Sequence, residues 1–286
     1  MTLAGKKLSI AFPDTVLEEH DSLREKTVKL GQIARACSVF GVDDILVFRD
    51  PRGRGEAGLI RWVLEYLETP QYLRKRLFPL DESLRYAGLL PPLRIPSHKP
   101  KVPVESLRPG DFREGAVLED GVTVDIGLDR PLALRQKVRG PRRLTVKITS
   151  ATPLQGVPAD RSQPREYWGY VVEERSVEQV LSDQRFQLKI ATSRLGVPLA
   201  TCLGNLHAQV KGSESIMVIF GSPSRGLFDL VSDLPRRVEL VVNLYPGQQV
   251  ATVRTEEAIS SALYLLEVLA ILQNTGSVSS SAYRRD

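Results

Sequence analysis

Five of the fourteen residues from Leu90 to Pro103 are proline, a density that rules out regular helix or sheet there. Each proline lacks an amide donor and has a fixed φ. The chain has a different hydrophobic period on the two sides of this block. On the N-terminal side, Leu8–Phe12 is an apolar run ending at Pro13 and Asp14, as expected of a buried strand. Asp21 or Ser22 caps a helix whose apolar positions Val28, Ile33, Ala36, Val39 and Phe40 recur at helical spacing until Gly41 stops it. Asp44–Phe48 reads as a second strand and Leu59–Leu67 as a second helix, followed by a polar, basic stretch from Thr69 to Pro79. Strand, helix, strand, helix is the order of an α/β domain with a parallel sheet.

Beyond the proline block come short alternating runs, Ala116–Leu118, Val122–Ile126, Leu132–Leu134 and Leu144–Ile148. Asp120–Gly121 is a hairpin turn signal, because a type I′ turn needs positive φ. No helical period returns before Ser176. This pattern predicts a small closed β-barrel of the OB kind, with Gln155–Pro164 as one of its loops. The α/β reading then resumes. It has strands at Tyr167–Val172, Leu188–Ala191, Ile216–Phe220 and Val238–Asn243, and a helix at Ser176–Ser182 capped by Ser176. A long helix follows at Thr255–Leu272, with Thr255 as its cap and Glu256 and Glu257 at its positive end. Its core face is Ile259, Ala262, Leu263, Leu266 and Leu269. The expected organisation is an α/β domain in two parts, 1–94 and 166–274, interrupted by a barrel at 95–165. The Ser-rich segment 275–286 has the composition of a flexible tail.

The net charge of +5 is unevenly placed. Residues 95–165 hold 13 Lys and Arg against 8 Asp and Glu, and the remaining residues hold 26 of each. Arg130–Ala159 contains no acidic residue at all. A basic block of this kind fits a polyanion, nucleic acid first among them. Its candidate contacts are Arg135, Lys137, Arg139, Arg142, Arg143 and Lys147, with Phe112, Tyr167, Trp168 and Tyr170 as the aromatic side chains available for stacking. The alternative is a solvated strand face that binds nothing. Cys37 and Cys202 are the only cysteines. Without a Cys/His cluster they exclude a disulfide framework and give no zinc spacing, so no metal is expected. The N-terminus lacks a signal-peptide core and no apolar run reaches the roughly 20 residues of a membrane span. The expected location is cytoplasmic.

Three turns follow strands near the C-terminus, where open α/β sheets bind ligands. They are Ala191–Gly196, Gly221–Gly226 and Asn243–Gln248. Glycine admits close backbone approach and proline stiffens the turn. Such a cage suits an adenine edge, a ribose and an aminoacyl tail better than a triphosphate, since no turn has the phosphate-cradling GxxxxGK[ST] form. Gly53–Gly58 matches GxGxxG and opens a nicotinamide-dependent oxidoreductase as an alternative. Against it, the charged segment Arg49–Arg52 separates strand from glycines, and no acidic residue stands where a ribose partner is needed.

The segments Ile33–Asp50, Tyr66–Pro79, Gly88–His98, Ile190–Leu199, Val218–Leu227 and Asn243–Ile259 resemble, in order, the archaeal and eukaryotic family of SPOUT RNA methyltransferases with an inserted OB fold. That resemblance implies a trefoil-knotted α/β domain, S-adenosylmethionine as cofactor, RNA as partner (ribosomal RNA favoured over transfer RNA) and a homodimer. Carried over by position, it assigns cofactor contacts to Thr192, Ser193, Gly221, Ser222, Pro223, Gly226, Asn243, Leu244, Pro246, Gly247, Gln248, Thr252, Val253 and Thr255. The run Gln249–Ala251 departs from the family's Gln-Gly-Thr-Glu-Thr-Val-Arg, which leaves the adenosine contacts open. Arg194, Arg225 and Arg254 are the candidate catalytic residues, since a planar guanidinium suits both an RNA phosphate and a polarised base. Ion pairing with nearby glutamates is the alternative for each. His20, His98 and His207 offer no clear general base, and His98 reads as an exposed linker residue. Glu256 is placed either at a ribose hydroxyl or as helix-capping charge. A non-catalytic RNA-binding protein of the same fold is the remaining alternative.

Overall fold

The computed structural model describes Leu3 and residues 5–140 and 142–272. The tail expected at 275–286 lies outside the described residues. Two compact units emerge, one comprising the chain up to Arg61 and from Tyr170 onward, the other Trp62–Gly169.

The first unit is a six-stranded, wholly parallel sheet. Its strands are β1 (Lys7–Pro13), β2 (Asp44–Phe48), β8 (Val171–Arg175), β9 (Leu188–Pro198), β10 (Ser215–Ile219) and β11 (Leu240–Asn243), in the order β11-β9-β10-β1-β2-β8. β2 is buried along its whole length and β1 everywhere after Lys7, as expected of strands covered on both faces. Helix α1 (Leu23–Phe40) starts at Ser22, whose hydroxyl accepts the Glu25 amide at 3.2 Å, and ends at Gly41 in the left-handed region, φ 69°. Helix α4 (Val177–Leu181) begins at a reciprocal Ser176–Gln179 capping box. Helices α5 (Leu199–Gly212), α6 (Leu227–Leu230) and α7 (Thr255–Leu272) complete the unit. Ala11, Leu46, Phe48, Met217 and Ile219 of the strands pack against Val180, Leu181, Leu227 and Leu234. Strand β8 starts at Val171, later than expected, because its partner β2 begins at Asp44, opposite Val171, and the chain turns at Gly169, φ 97°, just ahead of it.

In the second unit, β3 (Phe112–Val117), β4 (Thr123–Asp125), β5 (Leu132–Leu134), β6 (Arg143–Ala151) and β7 (Leu154–Ala159) close into a barrel of order β3-β4-β5-β7-β6. Gly121 sits at φ 70° in the β3–β4 turn. Val124, Ile126, Leu132, Val146 and Ile148 fill the interior. The segment expected as a loop from Gln155 is strand β7. It pairs antiparallel with β6 and parallel with β5, and so closes the barrel. The unit begins at Trp62 rather than at 95 because the chain before the proline block is bound to the barrel. Helix α2 (Ala57–Glu68) brings in Glu68, which accepts two bonds from Arg143, at 2.5 and 3.2 Å. Helix α3 (Gln71–Leu77), in a stretch read only as polar and basic, brings in Tyr72, whose hydroxyl donates to the Glu114 carbonyl at 2.9 Å. A Cβ on Gly127 would lie 2.3 Å from the Tyr72 ring, so the contact requires glycine.

Candidate cofactor pocket and nucleic-acid surfaces

Parallel strands place their following turns at one sheet edge, and the turns after β9, β10 and β11 enclose a cavity of about 290 Å³. Its wall includes Thr192, Ser193 and Arg194 from the first turn, and Gly221, Ser222, Pro223 and Gly226 from the second. The third contributes Asn243, Leu244, Gln248, Thr252, Val253 and Thr255. Pro246, Gly247, Arg225 and Arg254 do not line it. Leu195, Phe220, Ser224, Phe228, Asp229, Tyr245, Ala251 and Ala258 do, although the sequence analysis did not select them. Phe228 and Asp229 lie on α6, four residues long and too short for any helical period to mark.

The first turn is a bulge. Strand β9 pairs with β11 through Ala191 and again through Val197, and the residues between bow out of the ladder. Gly196 permits this, since a Cβ there would meet the Val242 carbonyl carbon at 2.7 Å and the Val241 oxygen at 2.8 Å. Asn243 ties the bulge to the third turn. Its amide donates to the Arg194 carbonyl at 2.9 Å while its oxygen accepts the Tyr245 N–H at 2.9 Å. Thr255, expected as a helix cap, instead donates its hydroxyl to the Gly221 carbonyl at 3.3 Å and ties the third turn to the second. Within the second turn the Ser222 and Arg225 backbones bond at 2.9 Å, and Asp229 accepts the Gly226 N–H at 2.8 Å. The wall combines apolar surface from Leu195, Leu244 and Val253 with hydroxyls and amides, and its only carboxylate among the described residues is Asp229. This set fits an adenosyl group, flat and apolar on its faces and hydrogen-bonding at its edges.

The three candidate arginines separate. Arg194 is exposed at the cavity wall with one long bond, 3.5 Å, to the Ala251 carbonyl. Arg254 is exposed, and its backbone amide donates to Glu257 at 2.9 Å. Arg225 takes the ion-pairing alternative, with Nε on Asp50 at 2.7 Å and Nη2 on Glu18 at 3.0 Å. Burial would raise the Asp50 pKa, but the Arg52 amide, Arg225 and Thr15 together hold it below the usual carboxylate value. Asp14 beside it is pushed up by burial. Glu256 is turned into the helix packing, where it pairs with buried Lys29 at 3.1 Å.

The glycines of the GxGxxG match have no room for a dinucleotide. A Cβ on Gly53 would fall 2.2 Å from Thr15 and 2.3 Å from Arg225, and one on Gly55 would fall 1.8 Å from Asp14. Asp14, Glu18 and Arg225 occupy the space beneath those glycines that a pyrophosphate would need.

On the barrel, Arg135, Lys137, Arg139, Arg142 and Lys147 are exposed. Arg143 is not. Its guanidinium is held by Glu68 at 2.5 Å and Glu114 at 2.6 Å, carboxylates 3% and 1% exposed, so it has no free donor face for RNA. Trp168 and Tyr170 are buried core, and Trp168 donates to Glu114 at 2.6 Å. Phe112 keeps partial exposure, with the Lys147 ammonium 5.8 Å from its ring centre. His98, expected in solvent, is half-buried against the Glu68 carbonyl at 2.8 Å, and burial lowers its pKa. Among the described residues, no helix is long and apolar enough to cross a membrane.

A parallel sheet, a closed barrel inserted in the sequence and a turn-built pocket over the last strands are what the resemblance to SPOUT RNA methyltransferases implies. Residues 7–266 match the family described as "Putative RNA methyltransferase", and the chain belongs to that family. It is 33% identical over 281 residues to an uncharacterized protein of Halobacterium salinarum, covering 89% of this chain and 96% of that one. A Haloarcula marismortui protein, also uncharacterized, is 34% identical over 281 residues, covering 90% and 98%. The human 28S rRNA (uridine-N(3))-methyltransferase is 32% identical over 304 residues, covering 91% of this chain and 77% of its own.

Proposed function

We propose that this protein transfers a methyl group from S-adenosylmethionine to a base of ribosomal RNA, with uridine N3, the position in its human relative's name, as acceptor. The observation that carries the reading is the meeting of the turns after β9, β10 and β11 around one cavity of adenosyl character. When bound, S-adenosylmethionine supplies an electrophilic methyl carbon on a sulfonium. The chain's task is then alignment, which is worth several kcal/mol, roughly 7–11 at best. Backbone groups of Gly221, Leu244 and Val253 hold the adenine and ribose, while Pro246 and Gly247 shape the third turn from outside the cavity wall. Thr192, Ser193 and Gln248 border the reacting end. Arg194 and Arg254 face solvent at this edge and orient the RNA through a phosphate or a uracil carbonyl. Transfer would form the N3–methyl bond as the sulfonium's S–methyl bond breaks and S-adenosylhomocysteine leaves, and Asp229, the one carboxylate on the cavity wall among the described residues, would accept the proton lost from N3.

The trefoil threading and the homodimer implied by the family resemblance belong to the same reading. Leu195, Val197 and Tyr264 are 73%, 46% and 63% exposed, apolar surface that a second copy would cover. The exposed barrel cations supply phosphate contacts, and a cytoplasmic place of action goes with them. The deciding experiment incubates the protein with S-adenosylmethionine labelled in its methyl group and ribosomal RNA, then maps the label. Incorporation at one uridine is expected. Binding of S-adenosylhomocysteine and RNA without incorporation would favour the non-catalytic RNA-binding alternative instead.

A further inference from the structure

The cavity uses the ends of β9, β10 and β11 and leaves the glycine-rich segment after β2 without a role. That segment leaves the same edge of the sheet, two strands along from β10. It is held from beneath at several points. Asp14 accepts the Asp50 amide at 2.9 Å, Asp50 accepts the Arg52 amide at 2.9 Å, and Glu18 accepts the Arg54 amide at 3.2 Å. The same Glu18 carboxylate accepts the hydroxyl of Ser224 at 2.7 Å, and Ser224 lines the cavity. One side chain therefore spans the Arg54 backbone and the cavity rim.

The acidic groups here are already engaged. Asp50 and Glu18 hold Arg225, and Glu56 pairs with Lys26 at 2.7 Å. Arg49, Arg52 and Arg54 are all exposed, and among the described residues their guanidinium groups take part in no ion pair or side-chain hydrogen bond. Three exposed guanidinium groups, of which only Arg49 lies within electrostatic reach of Asp14, form a pre-organised cationic surface on a braced turn, because little backbone entropy remains to be lost on binding. Gly53 and Gly55 let the turn pack closely on Asp14 and Thr15, which accounts for the glycines without any nucleotide between them.

We propose that Arg49, Arg52 and Arg54 contact the phosphodiester backbone of the RNA strand whose base enters the cavity. The proposal rests on the methyltransferase reading of that cavity and adds a second RNA contact, on the sheet unit itself, to the cations of the barrel.

The test uses the full chain, a labelled 20-nucleotide oligouridine and a salt titration. R49A/R52A/R54A is compared with K211A/R236A, which removes exposed cations preceding β10 and β11 at the opposite edge. Each lost phosphate contact lowers the slope of log affinity against log salt by about 0.7 for a single strand. The triple variant should therefore lose about 2 from the slope and at least tenfold in affinity, while K211A/R236A stays near wild type. Equal affinity and slope in the triple variant and wild type would overturn the proposal. So would equal losses in both variants, or displacement of the RNA from the wild type by polyglutamate at matched charge. S-adenosylhomocysteine affinity, measured in parallel, judges the cavity separately. Its absence in the wild type would end the methyltransferase reading, and the RNA arm would still decide the arginine surface.

Discussion

Lys29 of α1 and Glu256 of α7 form an ion pair at 3.1 Å, with side chains 1% and 8% exposed. Glu256 immediately follows Thr255, whose hydroxyl holds the Gly221 carbonyl at the cavity, so the pair anchors the first turn of α7 to α1 where the third strand-end turn finishes. Lys29 also pairs with Glu19. Taking away one partner of a buried pair leaves the other charged without compensation, at roughly 3–5 kcal/mol. Lys29→Ala should lower the thermal midpoint by about 2–4 °C per kcal/mol lost. Lys29→Met with Glu256→Leu, which removes the charge pair, should be less damaging than Lys29→Ala. Calorimetric melts of the three proteins check the order.

Asn243 is the clamp between the β9 bulge and the third turn. Asn243→Ala removes both bonds, each worth about 1 kcal/mol net, and frees the two walls of the cavity to separate. The expected result is about tenfold weaker binding of S-adenosylhomocysteine in titration calorimetry, with only a small shift in the melt. An unchanged affinity would remove the bulge from the binding site.

Most of the α/β framework was legible because its signals are local. Ser22 and Gly41 bracket α1 by capping chemistry, and β2, apolar throughout after Asp44, needs no partner to be recognised as a strand. The three turns were also legible as a group, since strand ends in a parallel sheet share an edge. What escaped depends on contacts distant in sequence. Strand β7 contains Gly156 and Pro158 and alternates weakly, and it is a strand only because β5 and β6 flank it. The basic run after Thr69 becomes helix α3 where Tyr72 meets the barrel. Arg143 and Arg142 are neighbours in one basic block, yet only Arg143 points at Glu68 and Glu114. Charge composition cannot distinguish them. The diversion of Arg225 to Asp50 likewise spans 175 positions and leaves no mark on its neighbours.

The arginines should divide by phenotype. Arg194→Ala and Arg254→Ala remove exposed groups and should lower the methyl-transfer rate with RNA by about 10–100-fold, leaving the melt and S-adenosylhomocysteine affinity near wild type. Arg225→Ala frees the second turn from Asp50 and Glu18, so it should weaken cofactor binding and lower the melting temperature together. Wild-type rates in both Arg194→Ala and Arg254→Ala would remove those two side chains from the reaction.

Glu114 sets an acid limit on the stability of the barrel unit. Burial raises its pKa, but the charges of Arg143 and Arg161 and the Thr145 hydroxyl outweigh that and hold it below the ordinary 4.5. A carboxyl whose folded pKa is depressed contributes stability above its unfolded pKa and loses it as pH falls through the folded one. The melting temperature should therefore hold between about pH 7 and 5 and decline below about 4.5. Glu114→Gln should start lower at neutral pH and decline less on acidification, because that linkage is gone. Melts by circular dichroism across this range read both effects.

Neighbouring basic residues of the barrel should fail in different ways. Arg139, Arg142 and Lys147 are exposed, and a cation lying over a partly exposed aromatic, as Lys147 does with Phe112, is an arrangement that a single-stranded base and its phosphate can share. Neutralising Arg139 and Arg142 should remove about 1.4 from the single-strand salt slope, some 0.7 for each charge, and leave the melt unchanged. Arg143→Ala should do the reverse. It strips Glu114, a nearly inaccessible carboxylate, of its ion-pair partner and leaves Glu68 with Arg161 alone, and costs several kcal/mol, roughly 3–5, before any RNA is added. If Arg143→Ala proves as stable as wild type and binds RNA with a reduced salt slope, then the guanidinium faces RNA after all and the buried network around Glu114 is not what holds the barrel to α2.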